Sequence, residues 1–210
     1  MSSLAASPLI ALTQRVTRIE ATGEKRDSLD QKWRKFMAAL NLSWIALPND
    51  VDYSLTLARS LGVSGLILTG GENLGENPER DAMELALLDE AAREDWPVLG
   101  ICRGFQLMLH WLGANLKATG PEIHRARRHD VLFTDGARRE VNSFHNFGPD
   151  KLPKELAPLA VCPIDGLVEA AFGGNLLGLM WHPERENIPD RDDLLLIGRR
   201  LFVKSGGRSA

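Results

Sequence analysis

Along the chain, the spacing of apolar residues switches repeatedly between the short run of a buried strand and the three- or four-residue step of a helix. Residues 8–13 (PLIALT) predict a strand. Leu29, Trp33, Phe36, Met37 and Leu40 then share one helical face, with Asp27 or Ser28 placed to cap it. Residues 43–47 (SWIAL) predict a second strand, closed by Pro48. A helix over about 51–61 leads into a third apolar run at 66–69 (LILT), which ends in Gly70-Gly71. A long helix over about 78–93 carries Met83, Ala86, Leu87 and Ala91 on one stripe. Residues 97–101 (PVLGI) predict the next strand, and 104–112 a helix that begins at a glycine.

The second half is richer in strands, at 131–134, 140–144, 157–161, 166–172 and 176–181. A final helix is expected over about 190–203, followed by a disordered tail at 205–210 (SGGRSA). Strand–helix–strand repetition predicts an α/β fold: a flavodoxin-like or doubly wound, mostly parallel sheet with helices on both faces. No repeat or linker divides the chain, so residues 1–204 are expected to form a single domain.

Composition narrows the function. The 210 residues are 44% hydrophobic and 25% charged, with a formal net charge of −3, so no overall basic field invites nucleic acid or an anionic membrane. No apolar run reaches the roughly 18 residues of a membrane span, and no basic segment precedes the brief apolar stretch near the N-terminus. Two cysteines, Cys102 and Cys162, make a disulfide framework implausible, and a cytoplasmic location is expected.

The sharpest chemical signal is PVLGICRGFQ, residues 97–106. Gly100 and Gly104 bracket Cys102 between an apolar strand and a helix, the pattern of a nucleophile elbow. A thiol there meets the positive end of the helix dipole, which favours thiolate. A small buried strand cysteine is the plain alternative. A thiolate nucleophile needs a proton carrier and a group to orient it. His182 ends the apolar run LLGLMW, and Glu184 follows at i+2, on the same side of an extended chain. His145 is a rival base without such a carboxylate neighbour. For the oxyanion, the backbone N–H of Arg103 is next to the nucleophile, and Gly70-Gly71 could bring that of Gly71. In HRARRH, residues 124–129, Arg125, Arg127 and Arg128 are either a clamp for phosphate oxygens or a solvated loop ahead of a strand. Zinc binding by His124 and His129 is not expected, because no further ligand sits nearby in the sequence. Neither a metal nor an organic cofactor is required.

With LILTGG, the elbow, VNSFHNFG (141–148), DGLVEA (165–170) and LGLMWHPE in view, the chain resembles the class I glutamine amidotransferase-like superfamily, within it the peptidase C26 branch of gamma-glutamyl hydrolases. It is similar to the gamma-glutamyl-gamma-aminobutyrate hydrolases and, more narrowly, to the compact gamma-glutamyl-CDP-amidate hydrolases. The resemblance implies a Cys-His-Glu triad, at Cys102, His182 and Glu184. It further implies a gamma-glutamyl pocket at Gly70, Gln106, Ser143, Phe144 and His145. The implied reaction is hydrolysis of a gamma-glutamyl amide through a thioester. The departures are Glu72-Asn73 where a third glycine or an aspartate is commoner, and trimmed loops before the cysteine. Two rival readings remain: a glutaminase subunit feeding ammonia to a separate synthetase, and a non-catalytic binding module. Homo-oligomer formation is left open.

Overall fold

The computed structural model describes residues 8–202. In chain order its strands begin with β1 (Leu9–Leu12), β2 (Arg15–Ile19), β3 (Glu24–Ser28), β4 (Ser43–Ala46), β5 (Val63–Leu68), β6 (Val98–Ile101) and β7 (Leu116–Ala118). They continue with β8 (Arg125–Phe133), β9 (Arg138–Phe144), β10 (Phe147–Pro149), β11 (Ala157–Val161), β12 (Val168–Gly173) and β13 (Leu176–Leu179). The helices are α1 (Lys32–Ala39), α2 (Val51–Ser60), α3 (Pro78–Arg93), α4 (Arg103–Trp111), the single turn α5 (Pro121–His124) and α6 (Arg191–Ile197).

Nine strands build the central sheet in the order β4-β1-β5-β6-β13-β12-β11-β8-β9. The first five pair in parallel, and from β13 onward each neighbour is antiparallel. The sheet is mostly parallel in direction, because alternate strands of its second half return to the sense of the first. The parallel half follows from β-helix-β connections, whose apolar runs are buried on both faces. Alternation in β1 divides the core into two layers: Ala11 packs with Met83, Leu87 and Phe105 of α3 and α4, while Ile10 and Leu12 pack with Trp33, Phe36 and Ile197 of α1 and α6. The carboxyl ends of β5 and β6 meet between these layers, where ligands gather in open α/β sheets.

Several elements depart from the sequence reading. Asp27 and Ser28 do not cap a helix; they lie in β3, which forms a hairpin with β2, and α1 starts only at Lys32. Both hairpin strands are largely solvent-facing and lack an apolar alternation to announce them. Arg125, Arg127 and Arg128 belong to β8 itself, not to a loop ahead of it. The last helix is shorter than its apolar stripe suggests: α6 ends at Ile197 and a π-type segment continues over Gly198–Phe202. The tail at 205–210 lies outside the described residues. Among the described residues, no helix is long and apolar enough to cross a membrane.

Candidate active site

β6 delivers its chain directly into α4 through Cys102, whose φ of 51° and ψ of −105° are rare for a residue with a side chain. The turn is held from both sides. Cys102 N–H donates to Leu179 O at 2.7 Å, and Cys102 O accepts from Gln106 N–H at 3.0 Å. Both bracketing glycines are sterically required: a Cβ on Gly104 would stand 2.1 Å from Leu68 O, and one on Gly100 would stand 2.8 Å from the Phe105 backbone. Cys102 therefore occupies the N-cap of α4, at the positive end of the helix dipole.

Glu184 Oε1 lies 2.8 Å from His182 Nδ1, and Cys102 lies near enough to the ring to raise its pKa. All three residues are buried. Burial pushes the imidazole pKa down, but the Glu184 carboxylate and the Cys102 sulfur reverse this and hold it at about 9. The Glu184 contact ties Nδ1–H and leaves Nε2 for the sulfur. Asn142 of β9 fixes the backbone of His182 in both directions, accepting from its N–H at 2.9 Å and donating to its carbonyl at 2.9 Å. Gly70 gives the ring its space, since a Cβ there would stand 2.5 Å from His182 Cε1. The exposed Phe144 lies edge-on to the His182 ring with centroids 5.8 Å apart, and Arg185 lies over Phe144. Beside the pair, a cleft of about 320 Å³ opens between Arg15, Asp30, Thr69, Gly70, Glu184 and Arg185.

Beneath the loop that follows β5 lies a buried ionic network. The fully buried Arg80 of α3 donates through Nη2 to Thr69 O at 2.9 Å and Gly70 O at 3.2 Å, pairs through Nε with Glu84 at 2.9 Å, and pairs through Nη1 with Glu72 at 3.1 Å. Because a trans peptide sets its N–H opposite its carbonyl, drawing Gly70 O toward Arg80 turns the Gly71 N–H away from it. A Cβ on Gly71 would collide with Arg80 Nη1 at 2.3 Å. The Arg103 guanidinium turns inward to Glu84 and Asp81 and anchors α4 on α3.

The remaining residues singled out in the sequence separate. Gln106 is buried and donates to Phe147 O at 2.9 Å, tying α4 to β10. Ser143 is fully buried, and its Oγ donates to His124 O at 2.8 Å. His145 turns into a buried cluster: its Nε2 lies 3.4 Å from Glu169 Oε1 and its ring 4.7 Å from that of His124. His129 Nε2 and His124 Nδ1 approach the same oxygen at 3.5 and 3.1 Å. Burial pushes the Glu169 carboxyl upward, yet the three imidazoles around it hold it well below the usual carboxylate range. The search along the sequence for partners of His124 and His129 missed Glu169 and His145, which the fold supplies from β12 and the end of β9. Arg125 and Arg127 are exposed, whereas Arg128 is engaged by Glu140 at 2.7 Å and Glu186 at 2.9 Å. Sequence reasoning also passed over Asn142, Arg80 and Glu84. Asn142 stood within a quoted motif, but a buried arginine pointing under a loop carries no local signal.

Solved structures share this architecture. A glutamine amidotransferase from Thermotoga maritima superposes with a TM-score of 0.63 at 19% identity, over 86% of this chain and 77% of the other. One from Methylobacillus flagellatus does so with a TM-score of 0.62 at 15% identity, over 87% and 72%. The fold is thus that of the class I glutamine amidotransferase-like proteins. Residues 8–184 match the Peptidase C26 family, to which this chain belongs. Among its relatives, the gamma-glutamyl-CDP-amidate hydrolase of Campylobacter jejuni is 32% identical over 187 residues, 85% of this chain and 90% of that protein. The gamma-glutamyl-gamma-aminobutyrate hydrolase of Escherichia coli O157:H7 is 28% identical over 227 residues, 88% of each chain.

Proposed function

We propose that this protein is a stand-alone hydrolase of a gamma-glutamyl amide, with Cys102 as nucleophile, His182 as proton carrier and Glu184 as its orienting group. One observation carries the reading: a buried histidine whose Nδ1 is 2.8 Å from a buried carboxylate titrates under the influence of a strained cysteine at a helix N-terminus. The Cys102 thiolate attacks the gamma-carbonyl, and the oxyanion is received by the N–H groups of Arg103 and Gly71. The C–N bond breaks as His182 gives its proton to the leaving nitrogen. His182 then takes a proton from water, which attacks the thioester; glutamate leaves and the thiolate returns.

The names of the relatives supply the substrate class, and the match over 90% of the Campylobacter jejuni protein at 32% identity favours a gamma-glutamyl nucleotide amidate. Arg125 and Arg127, both exposed, are then the candidates for its phosphates, with Arg128 already paired to carboxylates. The test is glutamate release by the purified protein from glutamine, gamma-glutamyl-aminobutyrate, simple gamma-glutamyl amines and a gamma-glutamyl nucleotide amidate. Rapid release from one conjugate, with glutamine poor, supports the reading. Release from glutamine alone, and only when a synthetase is added, would replace it with an ammonia-delivering subunit.

A further inference from the structure

We infer that His124, His145 and Glu169, with His129 beside them, form a binding site for a divalent cation of the zinc class, separate from Cys102. All four side chains are at least nine-tenths buried, and they come from α5, β8, the end of β9 and β12. His124 Nδ1, His145 Nε2 and His129 Nε2 stand 3.1, 3.4 and 3.5 Å from the single oxygen Glu169 Oε1. Donors bound to one ion at about 2.0–2.1 Å in a tetrahedron stand about 3.3–3.4 Å apart. Ligand atoms of His124, His145 and Glu169 all lie within 4.8 Å of one another, whereas His129 stands outside that set and reaches it through Glu169.

The hydrogen bonds around the cluster point the same way. His124 Nε2 contacts Asp165 Oδ2 at 2.8 Å, and His129 Nδ1 lies 3.2 Å from Ile123 O. Both partners are acceptors, so these nitrogens carry protons, and a ring that gives up its second proton to an incoming cation would turn a lone pair toward Glu169. A carboxylate or carbonyl behind each imidazole is the usual outer support of a metal-bound histidine. Inside the cluster, His124 Nδ1, His129 Nε2, both His145 nitrogens and both Glu169 oxygens find no hydrogen-bond partner among the described residues. Groups so close and so deeply buried, yet misaligned for hydrogen bonding, leave room for a cation between them. Imidazole nitrogens with one carboxylate oxygen suit zinc better than calcium or magnesium. Bound there, the ion would brace α5 and the end of β9 against β12.

The test uses the Cys102→Ala/Cys162→Ala variant, in which no thiol can hold metal. After treatment with a chelator it is titrated with zinc chloride against a competing indicator, and with cobalt(II) for its absorption spectrum. One zinc per chain, a tetrahedral cobalt spectrum and affinity that rises with pH as protons are displaced are expected. Adding Glu169→Gln should weaken zinc binding at least tenfold. Adding Asp165→Asn, which alters the outer contact of His124 while Oδ1 can still accept from Leu167 N–H, should weaken it about 10- to 100-fold. Absence of stoichiometric binding, or affinity unchanged in Asp165→Asn, overturns the site and shows that protons alone satisfy the cluster.

Discussion

Replacing Glu184 by glutamine separates orientation and charge from shape. Glu184 Oε1 lies 2.8 Å from His182 Nδ1, with both residues almost wholly inaccessible. A hydrogen bond to a charged group contributes about 1.5–3 kcal/mol, and at 1.36 kcal/mol per decade its loss slows turnover about 10- to 100-fold. The pH profile should move with it. His182 titrates at about 9, above its ordinary 6.5, because Glu184 and Cys102 outweigh burial. Its contribution to stability is therefore complete below about 6.5 and is lost as pH rises through about 9. Amide cleavage needs the protonated ring, so kcat/KM of the parent protein should fall above about pH 9. In Glu184→Gln that alkaline limb should move down by about one to two pH units, since each unit reflects 1.36 kcal/mol. The assay is glutamate release between neutral pH and the alkaline limit of folding, with circular dichroism as the control on structure. A variant within twofold of the parent, with its alkaline limb unmoved, would refute the role given to Glu184.

Other expected outcomes test the frame around the site. Gly104→Ala forces a methyl group toward Leu68 O, 2.1 Å from the ideal Cβ position, and should lower stability by about 1–3 kcal/mol in urea unfolding. Arg80→Met leaves Glu72 without its buried partner and Glu84 with Arg103 alone, and should cost about 3–5 kcal/mol; Arg80→Lys should instead lower kcat more than it raises KM, because Gly71 is less firmly set. Burial lifts Asp193 to about 6 in spite of Arg139, so the native state holds its proton more tightly than the unfolded chain. Stability relative to Asp193→Asn should therefore fall by up to about 3 kcal/mol as pH rises from about 4 to 6, measured by thermal unfolding across that range.

How much of this was legible in the sequence depended on whether the signal was local. The helix over 78–93 appears with those bounds, because Pro78 sits at its first turn and the apolar stripe is continuous. The elbow was legible because two glycines and one cysteine within five residues encode a steric requirement that the structure then displays. His182 and Glu184 were paired by extended-chain spacing; they do meet, although Pro183–Arg185 forms a 3-10 turn, not an extended segment. The hairpin of β2 and β3 escaped because its strands are polar and largely exposed. The imidazole cluster escaped for the opposite reason. His124 and His129 are close in sequence, but the carboxylate they surround lies forty residues or more away and arrives only through the register of the antiparallel half-sheet. Ser143 and His145 share a motif with the exposed Phe144, yet both point inward, because alternation along the end of β9 sends neighbours to opposite sides.

The central claim is that Cys102 carries the gamma-glutamyl group. It is tested most directly by mixing the protein with the conjugate that it turns over fastest, quenching in acid within the first turnover, and mapping the digest by mass spectrometry. The expected result is one gamma-glutamyl group on the peptide containing Cys102, lost on treatment with hydroxylamine, with neither the adduct nor glutamate release in Cys102→Ala. Undiminished glutamate release by Cys102→Ala, or an adduct carried on Cys162, would contradict the account.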